Sequence, residues 1–447
     1  MKKIDVAGLK LDSITKRELL DVLSNRLKNG QKTFITTPYS EFLYRGLLDP
    51  ELMDVFNQAD FSVPDGIGLF WAKKYLSIPL TAQSNYGKIF QAVWQIKYSL
   101  AAILFRPSYI RSAFAEKIPG SDLIWDIAQL AAENNWTIYL LGGFGNTPQL
   151  AAEKIQHYTD HTLLVLGREP REYAPIIAGY SAKNPDDPTV IDDIKKSNAD
   201  MVLVAYGPGK QEQWIVTHKD ELPGKLFIGL GGTFDYLAGK QIPPPAAIRF
   251  IGLEWLWRLF TQPRRWRRIW QATAGLALQL MKYKFFTSYP YRKNVVNVIV
   301  NTDNKIFIAR RNPEKHKDLG LYSDPVYWLL PQGGVDGQED LIAAARRETM
   351  EETGLKNLDL LFTAQDVYAY DWNFSQRPIK SNLHFPFRGQ SQSLVGFRYN
   401  GSDSEIYLDK YELLEYRWVD PTEAVSLVHK EKKIITALAI EHLKNLA

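Results

Sequence analysis

Along the first 280 residues, short apolar runs alternate with stretches whose apolar positions follow helical spacing. Glycine or proline marks most of the junctions. Lys32–Thr37 (KTFITT) is a β-branched run closed by Pro38, and Phe42, Leu43, Leu47 and Leu52 then fall on one helical side. Phe61–Leu76 reads as a short strand, a turn at Pro64–Gly66 and a helix starting near Gly66. The same order recurs at Trp136–Gln156 and Met201–Val216, and Lys225–Gly239 adds another strand ending in glycines. Buried strands alternating with helices predict an α/β domain with a largely parallel, Rossmann-like sheet. Ligands of such sheets sit at the carboxyl ends of the strands, where the glycine loops and Asp65 fall.

After about residue 285 the pattern changes. Tyr291–Asn301, Lys305–Arg311, Leu394–Asn400 and Tyr416–Asp420 are short strands separated by turns, with one helix over Asp340–Thr353 and another over Glu431–Asn445. This predicts a separate α+β domain, with the boundary near Thr287–Pro290. The expected division is 1–254 for the first domain, 255–287 for a basic aromatic segment and 288–447 for the second domain.

Composition fits two or three globular domains in 447 residues, with 45% hydrophobic and 23% charged positions. There is no cysteine, which excludes disulfides, thiolate metal sites and cysteine nucleophiles and fits a reducing compartment. The first twenty residues carry charges and no continuous apolar core, so no secretory signal is expected. Of the 54 basic residues, nine lie in Trp255–Asn294, which holds no acid, so the rest of the chain is net acidic. The positive excess is one local patch.

Glu348, Glu351 and Glu352 sit at i, i+3 and i+4, so a helix places all three carboxylates on one face. Clustered negative charge calls for a cation, and hard oxygen donors suit Mg²⁺ or Mn²⁺. A solvated acidic face is the plain alternative. Arg347 stands four residues before Glu351, and Gly333, Gly334 and Gly337 allow a loop to pass close to the helix. The whole segment Gly333–Leu355 resembles the Nudix box, G-x5-E-x7-R-E-U-x-E-E-x-G-U, matching at Gly333, Glu339, Arg347, Glu348, Glu351, Glu352, Gly354 and Leu355, with Thr349 at the first aliphatic position. Tyr291–Val295, Pro331–Gly334, Arg388–Gln392 and Tyr411–Val419 resemble the RNA pyrophosphohydrolase and dinucleoside polyphosphate hydrolase branch, from which Tyr368–Phe387 departs. The resemblance implies an α/β/α sandwich that hydrolyses a nucleoside diphosphate linked to another group. It implies Glu339, Glu348, Glu351 and Glu352 as metal ligands and Glu351 or Glu412 as proton acceptor, with Glu415 the near alternative to Glu412. Arg292 and Gln390 are implied on the substrate.

In the first domain, Asp65 is a carboxylate in a Pro-Asp-Gly turn at a strand end, placed to act as a general base or simply as a helix N-cap. The loop Gly142–Gly145 can take a phosphate on backbone N–H groups, or be only a tight turn. No Asp-x-Asp-like pair is placed to hold a metal–diphosphate, so Arg, Lys and helix N-termini must meet leaving-group charge. Together with Ile35–Leu43, Val63–Leu69, Ile118–Leu123, Leu140–Gly143, Tyr206–Ile215, Gly229–Lys240 and Gly252–Leu259, these pieces resemble the WecG/TagA/CpsF glycosyltransferases, glycosyltransferase family 26, over roughly residues 4–270. The resemblance implies inverting, metal-independent transfer of an N-acetylmannosamine-like sugar from a UDP-sugar to a polyprenyl-diphosphate-linked acceptor, for a cell-surface polymer. It implies Asp65 as base, Thr37 on the acceptor side, and Gly142, Gly143, Lys210, Gln211, Glu212, Asp235 and Arg258 around the substrates. Tyr39 stands at the family's Asn, Lys117 at an Arg, and Pro243 at the Arg of an Arg-Ala-Pro motif. These departures leave open a different donor or acceptor, or a non-catalytic nucleotide-sugar- or lipid-binding module that localises a Nudix hydrolase.

Trp255–Asn294 combines its cations with Trp255, Trp257, Trp266 and Trp270. Its uncharged stretch Ile269–Met281 is shorter than the ~20 residues that span a bilayer. An anionic membrane surface, nucleic acid, or packing on the domain with arginines toward a substrate phosphate are the three readings. A second acid-free stretch, Tyr75–Ala115, is longer than the family's usual connection. It reads as an interfacial or acceptor-lipid-gripping element, or as a re-entrant hairpin. The combined expectation is a cytoplasmic bifunctional enzyme, peripheral on the inner face of the cytoplasmic membrane, with processing of RNA 5′ ends as the rival role of the second domain.

Overall fold

The computed structural model describes residues 2–165, 176–179, 187–245, 248–249, 252–312, 327–372, 386–429 and 432–446. The chain forms two compact units, Met1–Phe285 and Phe286–Ala447.

The first unit opens with a hairpin, β1 (Lys3–Val6) and β2 (Leu9–Asp12). Its main sheet contains β3 (Thr33–Thr36), β4 (Phe61–Ser62), β5 (Ile138–Gly142), β6 (Ile176–Ala178), β7 (Met201–Ala205) and β8 (Leu226–Gly229). The order is β4-β3-β8-β7-β5-β6 and every pairing is parallel. Alternate strand residues feed two cores. Ile35, Leu140, Leu203 and Ile228 pack with the Lys16–Lys28 and Gly120–Asn134 helices through Leu23, Leu27 and Ile127. Phe34, Tyr139, Val202 and Phe227 pack on the other face with Ile194, Trp214 and Ile215. This is the doubly covered parallel sheet that the alternating apolar runs call for. All the predicted loops leave the same carboxyl edge.

Asn85–Phe105 is one uninterrupted helix of 21 residues, N-capped by Ser84, whose Oγ accepts the Gly87 N–H at 3.1 Å. It is not a hairpin: no turn residue interrupts it, and Lys97 lies on its exposed side. Its buried residues are small or polar, namely Ala92, Gln95, Ser99 and Ala102. Trp71 Nε1 donates to Ser99 Oγ (2.9 Å), and the buried Lys284 ammonium donates to Tyr75 O and Gln95 Oε1. The basic stretch divides at the single turn Pro263–Arg265 into a short helix, Glu254–Thr261, and a longer helical run from Trp266 to Thr287 whose Gln271–Gly275 turn is π-helical. No helix among the described residues is long and apolar enough to cross a membrane.

The second unit is built on a mixed sheet of β9 (Tyr291–Val300), β10 (Ile306–Arg311), β11 (Trp328–Leu329), β12 (Gln332–Gly334), β13 (Leu358–Asp371), β14 (Gly389–Tyr399) and β15 (Leu413–Val419). Its order is β11-β10-β9-β14-β13, with β12 on β9 and β15 on β10; β9 and β14 pair parallel and the other strand pairs described are antiparallel. The Leu341–Thr353 helix covers one face through Ala344 and Ala345, and Lys433–Lys444 covers the other through Ile435, Ala439 and Ile440. The result is the expected α/β/α sandwich.

Candidate active sites

Asp65 lies in the turn after β4, at the carboxyl edge of the sheet, and is only partly exposed. Its backbone N–H bonds Pro38 O (2.8 Å), and the Gly120 N–H approaches Oδ2 at 3.4 Å. Burial against low-dielectric protein pushes its carboxyl up to about 7, and the Glu254 charge adds to the rise. Arg258 and Lys117 pull the other way. Lys117 Nζ is paired with Glu254 Oε1 at 2.9 Å. Arg258 Nε is buried without a hydrogen-bond partner among the described residues. Thr37 is buried, its hydroxyl 3.5 Å from Gly229 O and adjacent to Gly120.

Gly142 and Gly143 have φ of 100° and 84°, a region that favours glycine, and a Cβ at Gly142 would meet the Ala205 carbonyl at 2.8 Å. The loop they open is held by Lys240, whose Nζ donates to Phe144 O (3.2 Å), Asn146 Oδ1 (2.7 Å) and Thr147 Oγ1 (2.8 Å). Lys210 is exposed at the first turn of the Lys210–His218 helix. Gln211 and Glu212 are buried and bond each other: Gln211 Nε2 donates to Glu212 Oε1 (2.7 Å), Gly231 N–H to Gln211 Oε1 (3.0 Å), and Gly209 N–H to Glu212 Oε2 (2.7 Å). They tie together the loops that follow β7 and β8. Burial pushes the Glu212 carboxyl up to about 7. Asp235 accepts from Gln241 Nε2 (2.7 Å) and faces Arg265 at 3.7 Å.

Sequence reasoning missed the network around Glu41. This buried carboxylate is gripped by Arg45 (2.7 Å) and by Arg268 from the basic stretch (2.9 Å), while Tyr39 OH donates to it at 3.0 Å and accepts from Arg268 at 3.2 Å. Burial raises the Tyr39 phenol far above its ordinary range, so it stays neutral. Three arginines of the basic stretch, Arg258, Arg265 and Arg268, therefore turn back to this site, whereas Arg264 and Arg267 stay exposed.

In the second unit, Asp340 caps the Leu341–Thr353 helix and Gly354, at φ 74°, ends it. The helix carries Arg347, Glu348, Glu351 and Glu352. Gly333 of β12 lies against the Glu348 carboxylate so closely that any Cβ would collide with it. Arg347 donates to both Glu339 oxygens (Nε–Oε1 3.0 Å, Nη2–Oε2 2.9 Å), to Glu348 (2.8 Å), to Glu351 (3.3 Å) and to Gly334 O (3.0 Å). These bonds hold the Glu339 carboxyl below its usual range. Both Glu339 oxygens are taken up by Arg347, which meets Glu348 and Glu351 through one oxygen each. Glu352 is buried and accepts the Gln332 N–H at 3.3 Å, while Glu351 is 60% exposed.

Among the described residues no three acidic or imidazole groups already converge as a metal cage. The donor chemistry nevertheless fits a hard cation. Glu348, Glu351 and Glu352 share a helix face, and Mg²⁺ commonly keeps water and substrate oxygens in the rest of its shell. Glu412 lies in the turn before β15, a turn tied to this helix by Asp409 N–H to Glu352 O (3.0 Å) and Tyr407 N–H to Thr353 O (3.0 Å). Glu415, the alternative, is engaged by Arg310 (3.1 Å) and Arg417 (3.4 Å). Arg292 and Gln390 are neighbours across β9 and β14, and Tyr370 OH donates to Gln390 (2.7 Å). Part of Tyr368–Phe387, residues 373–385, lies outside the described residues.

Residues 4–105 and 101–289 match the glycosyl transferase WecG/TagA/CpsF family, and residues 290–438 match the NUDIX domain. The chain belongs to the WecG/TagA/CpsF family and carries a NUDIX domain behind it. The transferase part is similar to the N-acetylglucosaminyldiphosphoundecaprenol N-acetyl-beta-D-mannosaminyltransferase of Bacillus spizizenii, 28% identical over 245 residues, 54% of this chain and 77% of that protein. The Staphylococcus aureus (strain MRSA252) protein of the same name is 24% identical over 269 residues, 60% of this chain and 87% of its own. The NUDIX part is similar to the RNA pyrophosphohydrolase of Bartonella clarridgeiae, 34% identical over 167 residues, 36% of this chain and 94% of that protein. The chain is thus a glycosyltransferase joined to a Nudix pyrophosphohydrolase, as the two motif sets imply.

Proposed function

We propose that the transferase unit moves an N-acetylmannosamine-like sugar from a UDP-sugar to a polyprenyl-diphosphate-linked acceptor, with inversion and without a metal. The observation that carries this is Asp65 at the strand edge with its proton affinity near neutrality, where a carboxylate works well as a general base. Asp65 takes the proton of the acceptor hydroxyl, whose oxygen bonds to the anomeric carbon as the bond to UDP breaks. Arg258, Lys210 and the backbone N–H groups of the Gly142–Gly145 loop meet the charge on the departing diphosphate. Gln211, Glu212 and Lys240 hold those loops in shape. The aromatic side of the basic stretch, with Trp255, Trp266 and Trp270 exposed, rests on the inner face of the cytoplasmic membrane, where such an acceptor resides. Asp65→Asn in the full chain removes transfer to a polyprenyl-diphosphate acceptor and leaves UDP-sugar binding; unchanged turnover removes Asp65 from the mechanism.

For the second unit the reading is hydrolysis of a nucleoside diphosphate linked to another group. Glu348, Glu351 and Glu352 hold Mg²⁺ or Mn²⁺, and Arg347, fixed by Glu339, sets their spacing. The cation, when bound, polarises a phosphoryl oxygen and acidifies a water. Glu351 or Glu412 takes the proton of the attacking water, Arg292 and Gln390 orient the substrate, and a phosphorus–oxygen bond to the leaving group breaks. The similarity to a protein named RNA pyrophosphohydrolase favours a second reading, removal of diphosphate from an RNA 5′ end. Comparing dinucleoside polyphosphates, UDP-sugars and 5′-triphosphorylated RNA as substrates of the full chain separates the two.

A further inference from the structure

We infer that the outward face of the Asn85–Phe105 helix is a docking surface for an anionic lipid bilayer, distinct from the basic stretch near residue 260. Its amphipathy is inverted. The stripe packed on the domain is Ala92, Gln95, Ser99 and Ala102, while Tyr86 (87%), Phe90 (75%), Trp94 (63%) and Phe105 (82%) stand in solvent with Tyr98 and Leu104. Among the helix's exposed positions Lys97 alone is charged. A helix of this length is ~30 Å long, and an apolar face of that extent exceeds the patches that soluble surfaces ordinarily leave uncovered.

Charge decides what covers it. Tyr75–Ala115 contains no acid, and Lys88, Lys97, Arg106 and Arg111 are its cations. A second copy packed face to face about a two-fold axis at the helix middle sets Lys97 close to its own equivalent, with no acid on the face to offset it. Nucleic acid needs a row of cations, and this face offers one. An anionic bilayer accepts both parts: aromatic and aliphatic side chains enter the boundary between headgroups and acyl chains, and Lys97, with Arg106 just past the helix end, meets lipid phosphates.

The face is also rigid and placed beside the chemistry. Trp71 and Lys284 anchor the helix through Ser99 and Gln95. A Cβ at Gly252 would lie 3.4 Å from Ile103 Cγ2 and 2.9 Å from Ile67 Cγ2, so the helix end, the start of Glu254–Thr261 and the residues after Asp65 are packed neighbours. Trp255 (41%) and Phe260 (77%) extend the exposed apolar surface from that junction. Two elements on one unit fix its tilt on the membrane, which a single short basic helix does not.

The chain has no cysteine, so one introduced thiol labels one site. Phe90→Cys and, as control, Lys154→Cys on a different exposed helix are each labelled with an environment-sensitive dye in the full-length protein. With phosphatidylglycerol/phosphatidylcholine vesicles the label at 90 shifts to the blue and brightens, while the label at 154 does not change; phosphatidylcholine alone has a much smaller effect. Phe90→Gln with Trp94→Gln lowers flotation with the anionic vesicles at least about tenfold at unchanged Tm. A label at 90 that ignores anionic vesicles overturns the inference. So does a shift that needs only a higher protein concentration, which assigns the face to a second copy, or only single-stranded RNA, which assigns it to nucleic acid. No sugar substrate is present, so the outcome is independent of the transfer reaction.

Discussion

Lys117 Nζ lies 2.9 Å from Glu254 Oε1, and the charges of both residues act on Asp65. The acid raises its proton affinity and the paired lysine lowers it, on top of a larger rise from burial. A base that titrates near 7 makes kcat/KM for transfer climb with pH and level off above about 7. Glu254→Gln removes the like charge and frees Lys117, and both effects favour the ionised carboxylate. The pH–rate midpoint therefore moves to lower pH in that variant. A midpoint that stays in place, or moves up, contradicts the assignment.

Asp65 and Glu212 are carboxyls whose folded proton affinity is raised to about 7, above the unfolded values. Such groups favour the fold while protonated, and that contribution is lost as pH rises from about 4 through 7. Asp65→Asn should accordingly be more stable than the parent at pH 8, by at least about 1 kcal/mol or ~2–4 °C in Tm, and close to it at pH 5. Thermal unfolding followed across pH 5–8 checks the slope.

Arg347 joins Glu339, Glu348 and Glu351 in one cluster. Arg347→Lys keeps the charge and loses the fork. Hydrolysis by the NUDIX unit should fall roughly 10–100-fold, with a higher Mg²⁺ requirement, since supporting residues around metal ligands act on that scale. Transfer activity is expected to be unaffected. Titration of both activities with Mg²⁺ reads this directly.

Gly229 has no Cβ, and one would come within 2.5 Å of Gln211 Nε2 and Glu212 Oε1. Gly229→Ala is predicted to displace Gln211 and Glu212 and the loops after β7 and β8 that they tie together. The expected loss is about 1–3 kcal/mol of stability together with weaker UDP-sugar binding. Calorimetry and a UDP titration on the same preparation test it.

Local features were legible in the sequence. The spacing of Arg347, Glu348, Glu351 and Glu352 declares a shared helix face because the helical period alone sets it. The apolar runs at Thr33–Thr36, Ile138–Gly142, Met201–Ala205 and Leu226–Gly229 announce buried parallel strands because they leave no polar face for water. What depends on distant partners was not legible. Lys117 meets Glu254 across 137 positions, and Lys240 reaches back to the Gly142 loop through Asn146, 94 positions away. The resemblance implies Gln211 and Glu212 near the substrates, but their bonds to the Gly231 and Gly209 N–H groups could not be read from the sequence. The acid-free run around Asn85–Phe105 reads as an interfacial element, but which side of the helix packs was not legible, because its small and polar side is the one that does.

The most direct test of two separate chemistries in one chain is a crossed assay of the full-length protein, Asp65→Asn and Glu351→Gln. Each is given a UDP-sugar with a polyprenyl-diphosphate-linked acceptor and, separately, a dinucleoside polyphosphate with Mg²⁺. The account predicts that Asp65→Asn loses transfer by at least about 100-fold and keeps hydrolysis, and that Glu351→Gln does the reverse. Transfer that survives in Asp65→Asn, or hydrolysis that survives in Glu351→Gln, would contradict it.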